Sequence, residues 1–149
     1  MTDIRQRFFI DASPVRGEVV HLQQSLDTIL AQRDYPPAIA ALLGEMLVGA
    51  ALLASTLKIR GRLSIQAQGQ ADLKWAMAEC SHDGEIRALA QWDEQSPLWQ
   101  TANSSVEAMQ ALGGGVLFIN IEPEDGERYQ GIIGRDSDIL AECLTTYFD

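Results

Sequence analysis

The residues of this chain with the most obvious chemical potential are three neighbours, Glu127, Arg128 and Tyr129. An acid, a guanidinium and a phenol in succession could serve a small-molecule enzyme as acid–base groups and an anion-holding group. The same three residues also fit a salt bridge at a strand edge beside one packed aromatic ring. The enzymatic interpretation requires that the three side chains converge on a concave pocket, so the sequence leaves both open.

Other groups that often carry chemistry are sparse. His21 and His82 are the only histidines, and neither has a Ser or Cys nucleophile in a recognisable setting. Cys80 and Cys143 are far apart and form no CxxC or CxC pattern, which excludes a zinc site built from neighbouring cysteines. Both are predicted to be structural thiols. A disulfide between them would need Cα atoms within about 7 Å.

The three glycines Gly113–Gly115 could suggest a phosphate-binding loop. Such a loop requires a helix N-terminus behind it and usually a lysine. A run of alternating residues typical of a strand follows here instead, at Val116 to Glu122. The glycines are therefore predicted to form a flexible lead-in to a strand.

Composition indicates one acidic globular domain. The chain has 149 residues, 21 acidic against 11 basic, and a formal net charge of −10. Nucleic-acid binding is not expected, because phosphate contacts require clustered Lys and Arg. The N-terminal residues contain no apolar signal segment, and cysteines are few, so a reducing, cytoplasmic location is expected.

The element that must support everything else is the run Ala38–Leu57. Fifteen of its twenty residues are Ala, Val, Ile, Leu or Met, and only Glu45 is charged. A helix that is apolar on nearly all sides is expected to be buried on nearly all sides. A membrane span is the alternative by length, but Glu45 and the absence of flanking aromatic residues favour a core helix.

Strand patterns surround this helix, so the predicted fold class is α+β. Antiparallel sheets, made of a strand meander and a hairpin, are expected to pack around a buried central helix with two or three further helices. Leu73, Trp75 and Met77 are assigned to one face of their strand, and Leu117, Ile119 and Ile121 to the core. The first half of the chain is predicted to hold an early strand pair (Phe8–Ile10, a turn at Asp11–Pro14, then Val15–Leu22) and a helix from Ser25 to about Tyr35, followed after the core helix by three strands between Leu63 and Trp92. The second half is predicted to hold a polar irregular stretch Asp93–Ser105 and a short helix Ser105–Leu112. A hairpin with strands Val116–Glu122 and Glu127–Gly134 and a last helix capped by Asp136 or Ser137 complete the prediction.

Several segments together resemble one family, the redox-regulated heat-shock chaperones called heat-shock protein thirty-three. The resemblance covers almost the whole chain. The most specific feature is the occurrence of both GERYQGIIG and VRGE at this distance from each other along the chain. The matching segments are VRGE (Val15–Glu18), DYP (Asp34–Pro36), the Ala/Leu-rich helix, TLK (Thr56–Lys58), IQAQG (Ile65–Gly69), GERYQGIIG (Gly126–Gly134) and the YF pair Tyr147–Phe148.

The resemblance implies a cytoplasmic holdase that binds unfolding proteins and is activated by oxidation. In the family, an N-terminal substrate-binding core is followed by a linker and a C-terminal module in which CxC and CxxC cysteines hold zinc. Residues 1–149 would be that core, truncated before its last strands, the linker and the zinc module. No zinc ligand can be assigned to Cys80 or Cys143, so zinc is expected only in the full-length protein.

The partners implied are unfolded client polypeptides, together with a second copy of the chain in an activated homodimer. No catalytic residue, membrane or nucleic acid is expected. A non-catalytic dimerising scaffold and the Glu127–Tyr129 enzyme are the alternatives. The client-binding surface is not fixed by the sequence, and the aromatic candidates for it are Trp75, Trp92, Phe118 and Tyr129.

Overall fold

A computed structural model describes residues 3–9, 16–21, 23–56, 58 and 60–148. The predicted turn Asp11–Pro14 lies outside these residues. The architecture is α+β, as the sequence predicted, with one long central helix. Its elements are the strands β1 (Ile4–Phe9), β2 (Arg16–His21), β3 (Gly61–Gln68), β4 (Leu73–Ser81), β5 (Ile86–Trp92), β6 (Val116–Pro123) and β7 (Tyr129–Ile133), and the helices α1 (Gln23–Leu30), α2 (Pro37–Thr56), α3 (Ser105–Gln110) and α4 (Leu140–Phe148).

The predicted meander and hairpin are both present, and they join into one sheet. Five strands lie in the order β5-β4-β3-β6-β7, each antiparallel to its neighbours. The join is the pairing of β3 with β6, in which Ile65 lies opposite Ile119. β1 and β2 form a separate antiparallel pair. The β3–β6 pairing is long-range, so local patterns could not predict it.

The inward side of the large sheet follows the predicted alternation in β3 and β6. Leu63, Ile65, Leu117 and Ile119 are all buried. β4 differs from the prediction. The register shifts between Leu73 and Trp75, so the two residues do not share a face.

The irregularity in β4 has a clear consequence for its side chains. Leu73, Ala76, Ala78 and Cys80 are buried in the main core, whereas Trp75 and Met77 lie outside it. The extra residue of a bulge reverses which side chains face inward. The assignment of Leu73 to the face of Trp75 and Met77 is therefore wrong.

Helix α2 is the core helix that the sequence predicted, but only one side of it is buried. Its inward residues, among them Ile39, Leu43 and Leu47, are fully enclosed. Half of its most apolar 18-residue window is buried, although its length and hydropathy would also suit a membrane span. The expectation of burial on nearly all sides is wrong, because Glu45, Val48 and Leu52 line a groove instead.

The boundaries of two helices differ from the predicted ones: α1 begins before Ser25, and α3 ends at Gln110 instead of Leu112. Ser25 lies inside α1, which begins at Gln23, and regular α-helix ends at Leu30 before a turn over residues 31–34. For α3 the cap is Ser104: its hydroxyl accepts the Glu107 N–H, while the Glu107 carboxylate accepts the Asn103 N–H at 3.2 Å. This is a capping box in which the carboxylate binds the N–H of the residue before the N-cap.

The predicted polar stretch Asp93–Ser105 contains a short 3-10 helix, Pro97–Gln100. Its Trp99 is buried, and the indole N–H donates to the Asp93 carbonyl at 2.9 Å. The prediction of an irregular segment was wrong here, because one anchored tryptophan orders the loop.

At α4, the Ser137 hydroxyl accepts the Ile139 N–H at 3.0 Å, one turn before the helix proper begins at Leu140.

Candidate functional site

The face of the five-stranded sheet turned away from α2 carries a group of apolar side chains outside the main core. We call it the outer face. Its apolar residues are Trp75, Met77, Leu89, Val116, Phe118 and Ile132. Strand alternation places them there, since their neighbours in sequence are the core residues. Ile132 is 73% exposed and Val116 is 42% exposed, whereas Phe118 is only 8% exposed.

The register arranges these residues in a row across the strands. Leu89 lies opposite Met77, Met77 opposite Gln66, and Gln66 opposite Phe118. Phe118 in turn pairs with Ile132. The row therefore runs from one edge of the sheet to the other, with only one polar residue in it.

Trp75 occupies the next row, and its indole N–H donates to the Gln91 side chain at 2.8 Å. The opposite end of the outer face is charged: Glu79 forms ion pairs with Arg87 at 3.6 Å and with Arg62 at 3.8 Å. The outer face is thus divided into an apolar half and an ionic half. The apolar half suits sequence-tolerant contact with apolar segments of another chain.

Of the four aromatic candidates, only Trp75 and Phe118 lie on the outer face. Trp92 is on the helix side at the end of β5. Its ring packs against Tyr35 with centroids 5.4 Å apart, and the Arg33 guanidinium lies 4.8 Å from its centroid. Arg33 also donates to the Ala90 carbonyl at 2.8 Å. Trp92 therefore anchors the α1–α2 connection to the sheet edge.

Tyr129 lies at the opposite edge of the sheet, also on the helix side, because it pairs with Ile121. Its hydroxyl contacts the Tyr147 hydroxyl of α4 at 2.6 Å. The hydrogen bond to Tyr129, and to a smaller extent burial, raises the pKa of Tyr147. The structure thus separates Tyr129 from Trp75 and Phe118.

The acid–guanidinium–phenol arrangement does not converge. Arg128 pairs with Glu122 at 3.3 Å, and both side chains are exposed. Glu127 is exposed as well, and Tyr129 is engaged with Tyr147. The three side chains are spread along a hairpin edge, which removes the geometric basis of the small-molecule enzyme.

A second apolar surface is the groove along α2, between α1 and α4, with a volume of about 790 Å³. Leu26, Val48, Leu52, Leu144 and Phe148 are among its lining residues. Gly44 and Gly49 allow α1 and α4 to pack closely on α2, since an added Cβ would lie 3.2 Å from Leu26 at the first position and from Leu144 at the second. The sequence predicted the apolar residues of this helix but not that one side would be left open.

The triple glycine leads into β6, as predicted, and one arginine binds two of its carbonyls; the predicted flexibility of this segment stays a prediction. Arg135 donates to the carbonyls of Gly113 at 2.8 Å, Gly115 at 3.2 Å and Met109 at 2.9 Å. A phosphate would need N–H donors at this position. The loop instead presents oxygens to a cation, so it is a structural feature.

The cysteines and His82 have structural contacts. The Cys143 thiol donates to the Ser137 carbonyl at 3.2 Å, and the Cys80 thiol donates to the Ser81 carbonyl at 3.4 Å, with no disulfide between them. His82 binds the Gly61 backbone, while the side chain of His21 lies outside the described residues. Within the described part of the chain, no three His, Cys, Asp or Glu residues are grouped to hold a metal. The described residues therefore offer no set of ligands for the zinc ion that the family resemblance implies.

The outer-face residues that sequence reasoning missed are Met77, Leu89, Val116 and Ile132. A usable signal was present in Ile132, an apolar residue next to the buried Ile133 in a short strand, which must face the other way. Met77 and Leu89 could be assigned only after the bulge in β4 was known.

Comparison with protein families gives a match over nearly the whole chain. The sequence model described as "Hsp33 protein" matches residues 3–149. A protein named "33 kDa chaperonin" from Ectopseudomonas mendocina is 43% identical over 148 residues, covering 99% of this chain and 48% of that protein. One of the same name from Pseudoalteromonas atlantica is 39% identical over 146 residues, with 98% and 48% covered.

Among solved structures, the 33 kDa chaperonin (heat shock protein 33 homologue) of Thermotoga maritima has a similar fold. The TM-score is 0.74 at 21% sequence identity, and the match covers 89% of this chain and 46% of that one. The present chain therefore spans about half the length of the curated relatives that it matches.

Proposed function

Because this chain belongs to the Hsp33 family, we propose that it is the substrate-binding core of a holdase chaperone, which binds unfolding polypeptides and keeps them from aggregating. The proposal requires no catalytic group. A holdase needs apolar area within reach of a client, and it needs a way to keep the loaded complex in solution.

The observation that carries the proposal is the apolar row on the outer face. Ile132 and Val116 expose large apolar surfaces beside the nearly buried Phe118. Unfolding proteins share apolar segments but no common sequence, so a broad apolar surface with few directional groups suits them.

Charge supports the same function. The net charge of −10 gives a loaded complex long-range repulsion from other complexes. The ion pairs of Glu79 with Arg62 and Arg87 limit the apolar zone to one half of the outer face. The chain can therefore expose an apolar client-binding surface and still be soluble.

Redox regulation, zinc binding and dimerisation are proposed to depend on the part of the family protein that has no counterpart in this chain. In this proposal residues 1–149 are the core domain, the protein acts in the cytoplasm, and clients and a second copy are its partners. The two cysteines support this division, because both are buried and, among the residues that the structure describes, neither belongs to a metal-binding group. This chain is accordingly expected to bind clients equally well with a thiol reductant or with hydrogen peroxide alone.

The test is suppression of light scattering from a thermally unfolding client by this chain and three matched variants. Ile132→Gln places a polar group on the outer face, Phe148→Gln on the rim of the α2 groove, and Ile139→Gln on neither surface. All three residues are exposed isoleucine or phenylalanine side chains, so stability should change little.

The proposal predicts that Ile132→Gln weakens suppression several-fold, while Phe148→Gln and Ile139→Gln retain it. Loss in Phe148→Gln alone would move the client site to the α2 groove. If the unmodified chain fails to suppress aggregation at any ratio to client, the holdase assignment for this chain is wrong.

A further inference from the structure

Two phenols meet where α4 crosses the edge of the sheet. The hydroxyl oxygens of Tyr129 in β7 and Tyr147 in α4 are 2.6 Å apart. Tyr129 is 50% exposed and Tyr147 is half-buried, so small oxidants in solvent can reach the pair. The holdase proposal makes no use of either hydroxyl.

A glycine between the two rings makes this meeting possible. A Cβ at Gly131 would overlap the Tyr147 hydroxyl, and it would lie 3.0 Å from the ring carbon that bears this hydroxyl and 2.9 Å from the Tyr129 hydroxyl. The end of the Tyr147 ring therefore rests directly on the Gly131 backbone. Any larger residue at position 131 would displace it.

Phe148 supports the ring of Tyr147 from the side. The two aromatic planes are nearly perpendicular, with centroids 4.9 Å apart. Tyr147 is thus held by an edge-on aromatic neighbour, by the glycine backbone and by the hydroxyl of Tyr129. The pair is a defined contact between an edge strand and a helix.

We propose that Tyr129 and Tyr147 form an oxidative cross-linking site, which one-electron oxidants of the peroxidase or hydroxyl-radical class convert to an intramolecular dityrosine. The product ties α4 covalently to β7. The inference concerns a modification site on the helix side of the sheet and does not depend on where clients bind.

A peroxidase supplied with hydrogen peroxide provides the two-electron oxidation that this cross-link requires. Each phenol gives one electron and its hydroxyl proton to the oxidant, which leaves two phenoxyl radicals with spin partly on the carbons next to the oxygen. One carbon–carbon bond forms between two of these carbons. Their hydrogens move as protons to the phenoxyl oxygens and restore both phenols. The pair loses two hydrogen atoms, and one hydrogen peroxide becomes two waters.

Proximity favours coupling within this pair over coupling between chains. Two groups held in contact react at an effective concentration far above that of any protein solution. Exposed side chains change rotamer in about picoseconds to nanoseconds, so the rings can bring their reactive carbons together while the radicals persist.

Tyr35 is the third tyrosine, and the fold keeps it away from this reaction. It packs on Trp92 beside β5, at the opposite edge of the sheet from β7. Tyr35 is therefore the natural control within the same chain. Its replacement should leave the cross-link unchanged.

The experiment treats the whole chain with horseradish-type peroxidase and hydrogen peroxide. The monomer is then analysed for dityrosine fluorescence, for loss of two hydrogen atoms by intact mass, and for a peptide joining positions 129 and 147. We expect this product in the unmodified chain and in Tyr35→Phe. We expect its loss, by at least about tenfold as a contact-dependent reaction, in Tyr129→Phe and Tyr147→Phe.

Gly131→Ala supplies the matched control, since it keeps all three tyrosines and displaces the hydroxyl ends of Tyr147 and Tyr129 from their contact. Its monomer should give several-fold less cross-link than the unmodified chain, and so should the unmodified chain oxidised in denaturing urea. A cross-link of equal yield in Gly131→Ala or in urea would overturn the proposal. Dityrosine found only between chains would overturn it as well.

Discussion

The N–H of Gly61 donates to Nδ1 of His82 at 2.9 Å, and the Gly61 carbonyl accepts the His82 N–H at the same distance. This reciprocal pair joins the start of β3, just after the core helix, to the turn between β4 and β5. The Nε2 of His82 faces Asp83 at 3.3 Å and Glu124 at 3.5 Å. One histidine therefore connects three loops at one end of the sheet, which is a structural role.

Removing this imidazole should leave a buried donor without a partner. His82→Ala is expected to lower the free energy of unfolding by about 1–3 kcal/mol, the typical cost of an unsatisfied buried N–H. Urea denaturation followed by circular dichroism measures it. Asp83→Asn, which alters only an exposed contact of the same ring, is the control and should cost under about 1 kcal/mol. Equal stability of His82→Ala and the unmodified chain would contradict the role of the ring as an anchor.

Two glycines with positive φ should respond very differently to alanine. Gly61 has φ +144°, and an added Cβ would overlap the Glu122 carbonyl oxygen and lie 2.8 Å from the Pro123 Cα. Gly84 has φ +84° and open space around it. Gly84→Ala should cost about 1–2 kcal/mol for the backbone conformation alone. Gly61→Ala adds a backbone collision between β3 and β6, so its melting temperature should fall much further, and comparable melting temperatures would argue against the close approach.

The two sides of α2 should differ in their sensitivity to truncation. Leu47 is fully buried, whereas Leu52 lines the α2 groove. Leu47→Ala should lower the free energy of unfolding by about 2–5 kcal/mol, because it leaves a cavity in packed surroundings. Leu52→Ala removes the same atoms from an open surface and should cost clearly less. Matched denaturation curves compare the two, and a Leu52→Ala cost as large as that of Leu47→Ala would show that the groove is filled in solution.

The capping box of α3 should contribute to the acid sensitivity of the protein. The Asn103 N–H, and then the Ser104 hydroxyl, lower the pKa of the Glu107 carboxyl from its ordinary value of 4.5. A depressed pKa in the folded state means that the carboxylate stabilises the fold above the unfolded pKa. This contribution is lost as the pH falls through the folded pKa.

The stability difference between the unmodified chain and Glu107→Gln should therefore be largest near neutral pH and shrink below about pH 4.5. Denaturation at a series of pH values tests the trend, and a carboxyl NMR titration of Glu107 tests its cause. A difference that is constant with pH would assign the effect of the substitution to packing. Glu94→Gln, an exposed change in the preceding loop, is the control and should show no such trend.

Local rules of the chain predicted most elements of this fold. Alternation in β3 and β6 and the apolar run of α2 each depend on interactions between near neighbours in sequence, so the residues alone indicated them. The family resemblance also came from short segments, above all GERYQGIIG, and it is confirmed by the match over residues 3–149. Helix starts were less predictable, because tertiary context can override the preference of a serine such as Ser25 for the N-cap position.

What the sequence by itself determined is the α+β class, the central helix, and the meander and hairpin. Only the tertiary structure decided which aromatics share a surface. Because of the bulge after Leu73 and the pairing of β3 with β6, Trp75 and Phe118 lie on the outer face. Trp92 and Tyr129 lie at opposite edges of the sheet. The physical reason is that a strand's face depends on register, and register is fixed by partners that are distant in sequence.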